Sequence, residues 1–164
     1  MMIESIFKIP FYKVYLDIDN KPLVSLSNKL LKQNRIRNLS ILGGTQSDEI
    51  SGKDNEVITL AQHIVKHSKV FARHIGLTEQ LTIGSMWANV GGYKDCHRLH
   101  HHPHSLIGGV YYAKAPKDCG NIRFYHPYWE TMQYDWEHNY TKHAMSIVMV
   151  QRYGSSNWLV ISIS

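Results

Sequence analysis

The run His97-Arg98-Leu99-His100-His101-His102-Pro103-His104 stands between two segments of strand character and limits the folds open to this chain more than any other feature. Imidazole is the commonest protein ligand for transition metals, so several in a short span make a local donor set. On an extended strand, residues i and i+2 share a face. His100 and His102 are therefore expected to project side by side, with His101 pointing the other way. Pro103 cannot donate to a sheet ladder; it is expected to end that strand and to leave His104, a poorer ligand, in the turn. The competing reading is a solvated histidine-rich loop that binds metal incidentally.

The flanks favour a sheet. Leu81, Ile83, Ser85, Trp87 and Asn89 alternate with Thr82, Gly84, Met86, Ala88 and Val90, the pattern of a strand in a two-sided sheet. Leu106 to Lys114 is rich in β-formers, and a turn over Pro116 to Gly120 leads to a further expected strand, Asn121 to His126. Short strands in succession with turns between them suggest a sandwich or barrel-like double sheet.

The first half is organised differently. Leu23, Leu26, Leu30 and Leu31 recur at helical spacing within Pro22 to Asn34, and Val57, Ala61, Ile64, Val65, Phe71 and Ile75 do so within Asp54 to Ile75. Gly76 stands where a helix C-terminal stop is expected. The two helices are expected to pack on one face of the later sheet, joined by a surface loop over Leu42 to Asn55. His63, His67 and His74, with Lys66, Lys69 and Arg73 around them, read as a solvated basic face rather than a second metal site.

Length and charge bound the remaining choices. At 164 residues the chain fits one domain, and no apolar run approaches the roughly 20 residues of a membrane-spanning helix. The start, Met1 to Ser5, lacks the pattern of a signal peptide, which points to the cytoplasm. Cys96 and Cys119 read as reduced thiols. The net charge of +5 concentrates at Lys29, Lys32, Arg35 and Arg37. Without interleaved aromatics this is a solvated helix end, not a nucleic-acid surface. The aromatic stretch Tyr125 to Tyr140 is open to two readings, a lid over a substrate opening or a hairpin or subunit interface.

Taken in order, Trp87 and Asn89, then His100 to Ser105, Gly108 to Tyr112, Pro116, Gly120, and Phe124 with Pro127 resemble the Fe(II)- and 2-oxoglutarate-dependent oxygenases, within them a group of phage and bacterial proteins. Phe7 to Pro10 and Gly43 to Ser47 carry a weaker similarity. The chain departs from the family pattern at Thr45, Cys96, His97 and Gly108. The resemblance implies an α+β, mainly β fold: a double-stranded β-helix (jelly roll, cupin-like) with N-terminal helices on one sheet and C-terminal strands left incomplete. In domain terms it implies a single unit over 1–164, with 1–78 as helical support and 79–164 as a partial jelly-roll core.

It also implies Fe(II) and 2-oxoglutarate as cofactors, His100 and His102 as metal ligands, Asn89, Tyr111 and Arg123 as cofactor-pocket groups, and hydroxylation of a substrate. No residue matches the family's distal histidine or its oxoglutarate-gripping arginine, so the chain is expected to be truncated there. His126, His138 and His143 are the alternatives for a third ligand. Three function classes stay open: the oxygenase, a cupin-like metal protein of other chemistry, and a non-catalytic scaffold. The first alone predicts metal binding that responds to oxoglutarate. A homodimer is expected through an unpaired edge strand, with neither nucleic acid nor membrane as partner.

Overall fold

The structure is a computed structural model that describes residues 9–33, 41–42, 45–51, 54–78, 80–97, 100, 102, 105–117, 119, 122, 124 and 156–163. Its elements in chain order are α1 (Lys21–Gln33), β1 (Ile41–Leu42), β2 (Thr45–Glu49), α2 (Ile58–His74), β3 (Ile83–Gly91), β4 (Cys96–His97), β5 (Ile107–Lys114) and β6 (Ser156–Ile163).

Both helices form where leucine and alanine spacing predicts them. The carbonyl of Asn20 accepts the Val24 N–H at 3.0 Å as the first bond of α1, and Asp19 Oδ1 accepts the N–H of Lys21 at 3.0 Å, which satisfies one of the donors that the first turn leaves open. Leu23, Leu26 and Leu31 are buried along one side of α1. Ser27 is buried with them because its hydroxyl donates back to the Leu23 carbonyl at 2.7 Å.

Helix α2 ends as the sequence predicts. Gly76 takes φ +79°, its N–H donates to the Arg73 carbonyl at 3.3 Å, and the Leu77 N–H donates to Ala72 at 2.9 Å, the paired bonds of a Schellman stop. Among the described residues, chain neighbours apart, no atom lies within 4 Å of where a Cβ on Gly76 would sit, so backbone strain is what opposes a side chain there. Gly76→Ala is expected to cost about 1 kcal/mol and to lower Tm by roughly 2–4 °C in thermal melts. An unchanged Tm would contradict the left-handed stop.

The strands pair antiparallel in a four-stranded sheet of order β2-β3-β6-β5 and a two-stranded β1-β4 ladder. Strand β6 lies inside the sheet, flanked by β3 and β5, rather than at an unfinished edge. Among the described residues the edges of that sheet are β2 and β5.

Residues directly opposite each other in an antiparallel pair share a face, so the register sorts the sheet into two sides. Met86, Ile161 and Gly109 share one side, as do Ala88 and Tyr111, which align through Leu159. A bulge between Ile83 and Ser85 brings Ile83 to that same side. Met86, Ala88, Ala113 and Ile161 there form one core with Leu23 and Leu26 of α1 and with Leu60 and Ala72 of α2. Helices on one face of an antiparallel sheet make this an α+β arrangement.

Two expectations are corrected. The segment from Leu42 to Asn55 is not simply a surface loop: it contains β2, and Ser47 and Ile50 within it are buried. Ser47 belongs in a strand despite its polarity because its hydroxyl accepts the Ala88 N–H at 3.0 Å and donates to the Asp48 carbonyl at 2.6 Å. The histidine face of α2 is also not uniformly solvated. Lys66, Lys69, Arg73 and His74 are exposed, but His63 and His67 are half-buried and stacked, with ring centroids 6.2 Å apart. Tyr12 lies against His67, its hydroxyl hydrogen-bonded to His67 Nδ1 at 2.9 Å. Among the described residues no helix is long and apolar enough to cross a membrane.

Candidate metal centre

Strand β3 ends at Gly91, and a tight turn reverses the chain. Gly92 N–H donates to Asp95 Oδ2 at 2.5 Å, Asp95 N–H donates to the Gly92 carbonyl at 3.3 Å, and Lys94 takes φ 66°. The chain then enters β4, whose ladder with β1 spans only Ile41↔His97 and Leu42↔Cys96. His100 and His102 follow and lie in no strand, so pleat alternation is not what brings them together.

They meet nonetheless. The His100 and His102 rings approach edge to face, with centroids 5.1 Å apart and planes at 81°. The His97 ring lies 5.7 Å from that of His100, centroid to centroid. His102 is half-buried and His100 exposed. The inner ring rests on the sheet: the Trp87 indole of β3 lies 5.5 Å from it, and a Cβ at Gly108 of β5 would sit 3.8 Å from its Cδ2.

Trp87 and Gly108 belong to the side of the sheet opposite the helices, and so does Asn89. Asn89 is 0 % exposed, and neither its Oδ1 nor its Nδ2 has a hydrogen-bond partner among the described residues. A buried primary amide in that condition costs about 1–3 kcal/mol, so it marks a place where polar atoms of a ligand or water would be favoured. Gln46 of β2 lies opposite Asn89 on one flank, and Trp158 of β6 aligns Asn89 with Tyr112 of β5 on the other.

Tyr111, read from the sequence as a companion of Asn89, is not brought to this side. It is aligned through Leu159 with Ala88, one residue out of step with Asn89, and the period of two sends it to the helix face. Its hydroxyl donates to Asn20 Oδ1 at 2.6 Å, and burial raises the phenol above its ordinary value, so it stays a proton donor that ties β5 to the entry of α1. Tyr112 is the tyrosine that shares the Asn89 side. Its signal was present in the adjacent tyrosines, but choosing between them needs the register with β6.

The other sequence candidates, Arg123, His126, His138 and His143, lie outside the described residues, as do His101, His104 and the aromatic stretch from Tyr125 to Tyr140. Of the strand expected over Asn121 to His126, only Ile122 and Phe124 are described, and neither is in a strand. Among the described residues no group of three or more His, Cys, Asp or Glu side chains could hold a metal ion. The nitrogen donors of His100 and His102 suit ferrous iron as two members of a larger set.

A family model described as "Putative 2OG-Fe(II) oxygenase" matches residues 85–155, a span that opens in β3, takes in Trp87, Asn89, His100, His102 and Gly108, and closes just before β6. This match supports the resemblance read from the sequence. No curated protein matches the chain.

Proposed function

We propose that this chain is an Fe(II)- and 2-oxoglutarate-dependent oxygenase that hydroxylates a substrate still to be identified. The observation that carries this reading is the His100–His102 pair, 5.1 Å apart and seated on Trp87 within the matched span. The antiparallel sheet and the β1-β4 ladder are read as parts of a jelly roll.

In this reading His100 and His102 give two imidazole nitrogens to the metal, and one of His126, His138 and His143 gives the third donor of a facial set. Bound there, ferrous iron would supply the oxidative decarboxylation of 2-oxoglutarate by O₂ to succinate and CO₂, one oxygen atom of O₂ ending in succinate and the other in the hydroxyl placed on a substrate C–H bond. The Asn89 amide, able both to donate and to accept, holds polar atoms of the oxoglutarate or of the substrate. Arg123 is the candidate cation for a carboxylate of the oxoglutarate.

The test is anaerobic Fe(II) titration with and without 2-oxoglutarate, following the visible charge-transfer band of the chelate. The expected result is a band that needs both components and is absent from a His100→Ala, His102→Ala double variant. Tight iron binding without the band would favour metal chemistry of another class, and iron binding no better than that of the double variant would leave a scaffold.

A further inference from the structure

We propose that Trp87 is the positioning residue of the metal pair: its indole holds the His102 imidazole against the sheet in the orientation that meets His100. This inference rests on the reading of His100 and His102 as ligands. His102 lies outside the strands, where the backbone does less to fix a side chain than a ladder would. Its ring instead lies against two positions of the sheet, Trp87 and Gly108. Trp87 projects from β3, an inner strand paired with both β2 and β6, and Gly108 belongs to β5, on the far side of β6. The Trp87 and His102 centroids lie 5.5 Å apart with planes at 48°, and Gly108 leaves the space beneath the ring open.

Order therefore passes outward, from the sheet to Trp87, to the half-buried His102, and then to the exposed His100. A ligand already held in place has less rotamer freedom to lose when metal binds, which is how packing on one imidazole raises affinity at both. Removing groups that orient a liganding histidine costs about 10–100-fold in metal affinity.

Cobalt(II), a spectroscopic stand-in for ferrous iron, provides the test. Dissociation constants and d–d spectra are to be measured for the full chain and for Trp87→Phe, Trp87→Ala, Gly108→Ala and Gly108→Val, with thermal melts of each metal-free protein. Trp87→Phe keeps an aromatic plate and is expected to bind near the parent affinity. Trp87→Ala is expected to bind about tenfold more weakly with an altered d–d spectrum while still melting cooperatively. Gly108→Ala adds a carbon at ordinary contact distance from His102 and is expected to be neutral, whereas Gly108→Val presses on the ring and weakens binding.

Trp87→Ala with the parent affinity and spectrum overturns the proposal and leaves the ligand assignment standing. Should Trp87→Ala fail to melt cooperatively, the glycine pair decides: parent affinity in Gly108→Val overturns the proposal, and a loss confined to valine supports it. A parent chain that binds cobalt no better than His100→Ala, His102→Ala overturns the ligand reading and this inference with it.

Discussion

Met86→Ala is expected to destabilise the protein by about 3 kcal/mol, a Tm drop of roughly 6–12 °C. Met86 is 0 % exposed, lies in the inner strand β3, and faces the layer where Leu23 and Leu26 of α1 meet Leu60 and Ala72 of α2. Its backbone is held as well, since the Ile50 N–H donates to its carbonyl at 2.7 Å. Truncation would thus open a cavity in a wall that is poorly able to collapse. Val110→Ala, at an exposed position on the other side of β5, is the control and should leave Tm nearly unchanged. Cobalt binding by Met86→Ala, measured well below its melting temperature, should persist, because the histidine pair rests on the opposite side of the sheet. A loss below about 1 kcal/mol would mean that helices and sheet do not share one packed core.

That core was readable because its signals are periodic. The leucines of α1 recur at helical spacing, Gly76 supplies the positive φ that ends α2, and β5 carries the β-formers Ile107, Val110, Tyr111 and Tyr112. Strand β2 was not readable, since Thr-Gln-Ser-Asp-Glu offers no apolar alternation. Its membership depends on pairing with β3 and on a serine hydroxyl that takes a strand's hydrogen bond. The inner place of β6 was equally hidden, because pairing between segments so far apart along the chain leaves no local trace.

The candidate site divides in the same way. His100 and His102 were visible as a pair, but the cause inferred for it, the pleat of a strand, does not apply: neither lies in a strand, and the His102 ring lies against Trp87. Asn89 and Tyr111 each sit in a recognisable strand, yet only the register with β6 reveals that they point to opposite sides. Periodicity along one strand says which residues alternate; it does not say how two strands are aligned. For the same reason the sequence does not reveal Tyr112 and Gln46 as neighbours of Asn89, although both fall in line with it across the sheet.

Asn89→Val is expected to raise the stability of the metal-free protein by about 1–2 kcal/mol, or roughly 2–8 °C in Tm, while abolishing the effect of 2-oxoglutarate on the iron complex. The side chain is fully buried and its amide atoms have no hydrogen-bond partner among the described residues, so folding strips it of water without return from them. Valine removes that penalty and suits an inner strand better than asparagine does. An ordinary structural asparagine would give the opposite sign, because its loss would break hydrogen bonds that hold the fold. A group that is costly in the empty protein and needed in the loaded one is the expected signature of a binding residue, where stability is given up for function. The two measurements are independent: melts report the penalty, and anaerobic iron titration with and without oxoglutarate reports the ligand. Greater stability with an unchanged charge-transfer band would remove Asn89 from the site, and lower stability would mean that the amide is satisfied within the fold.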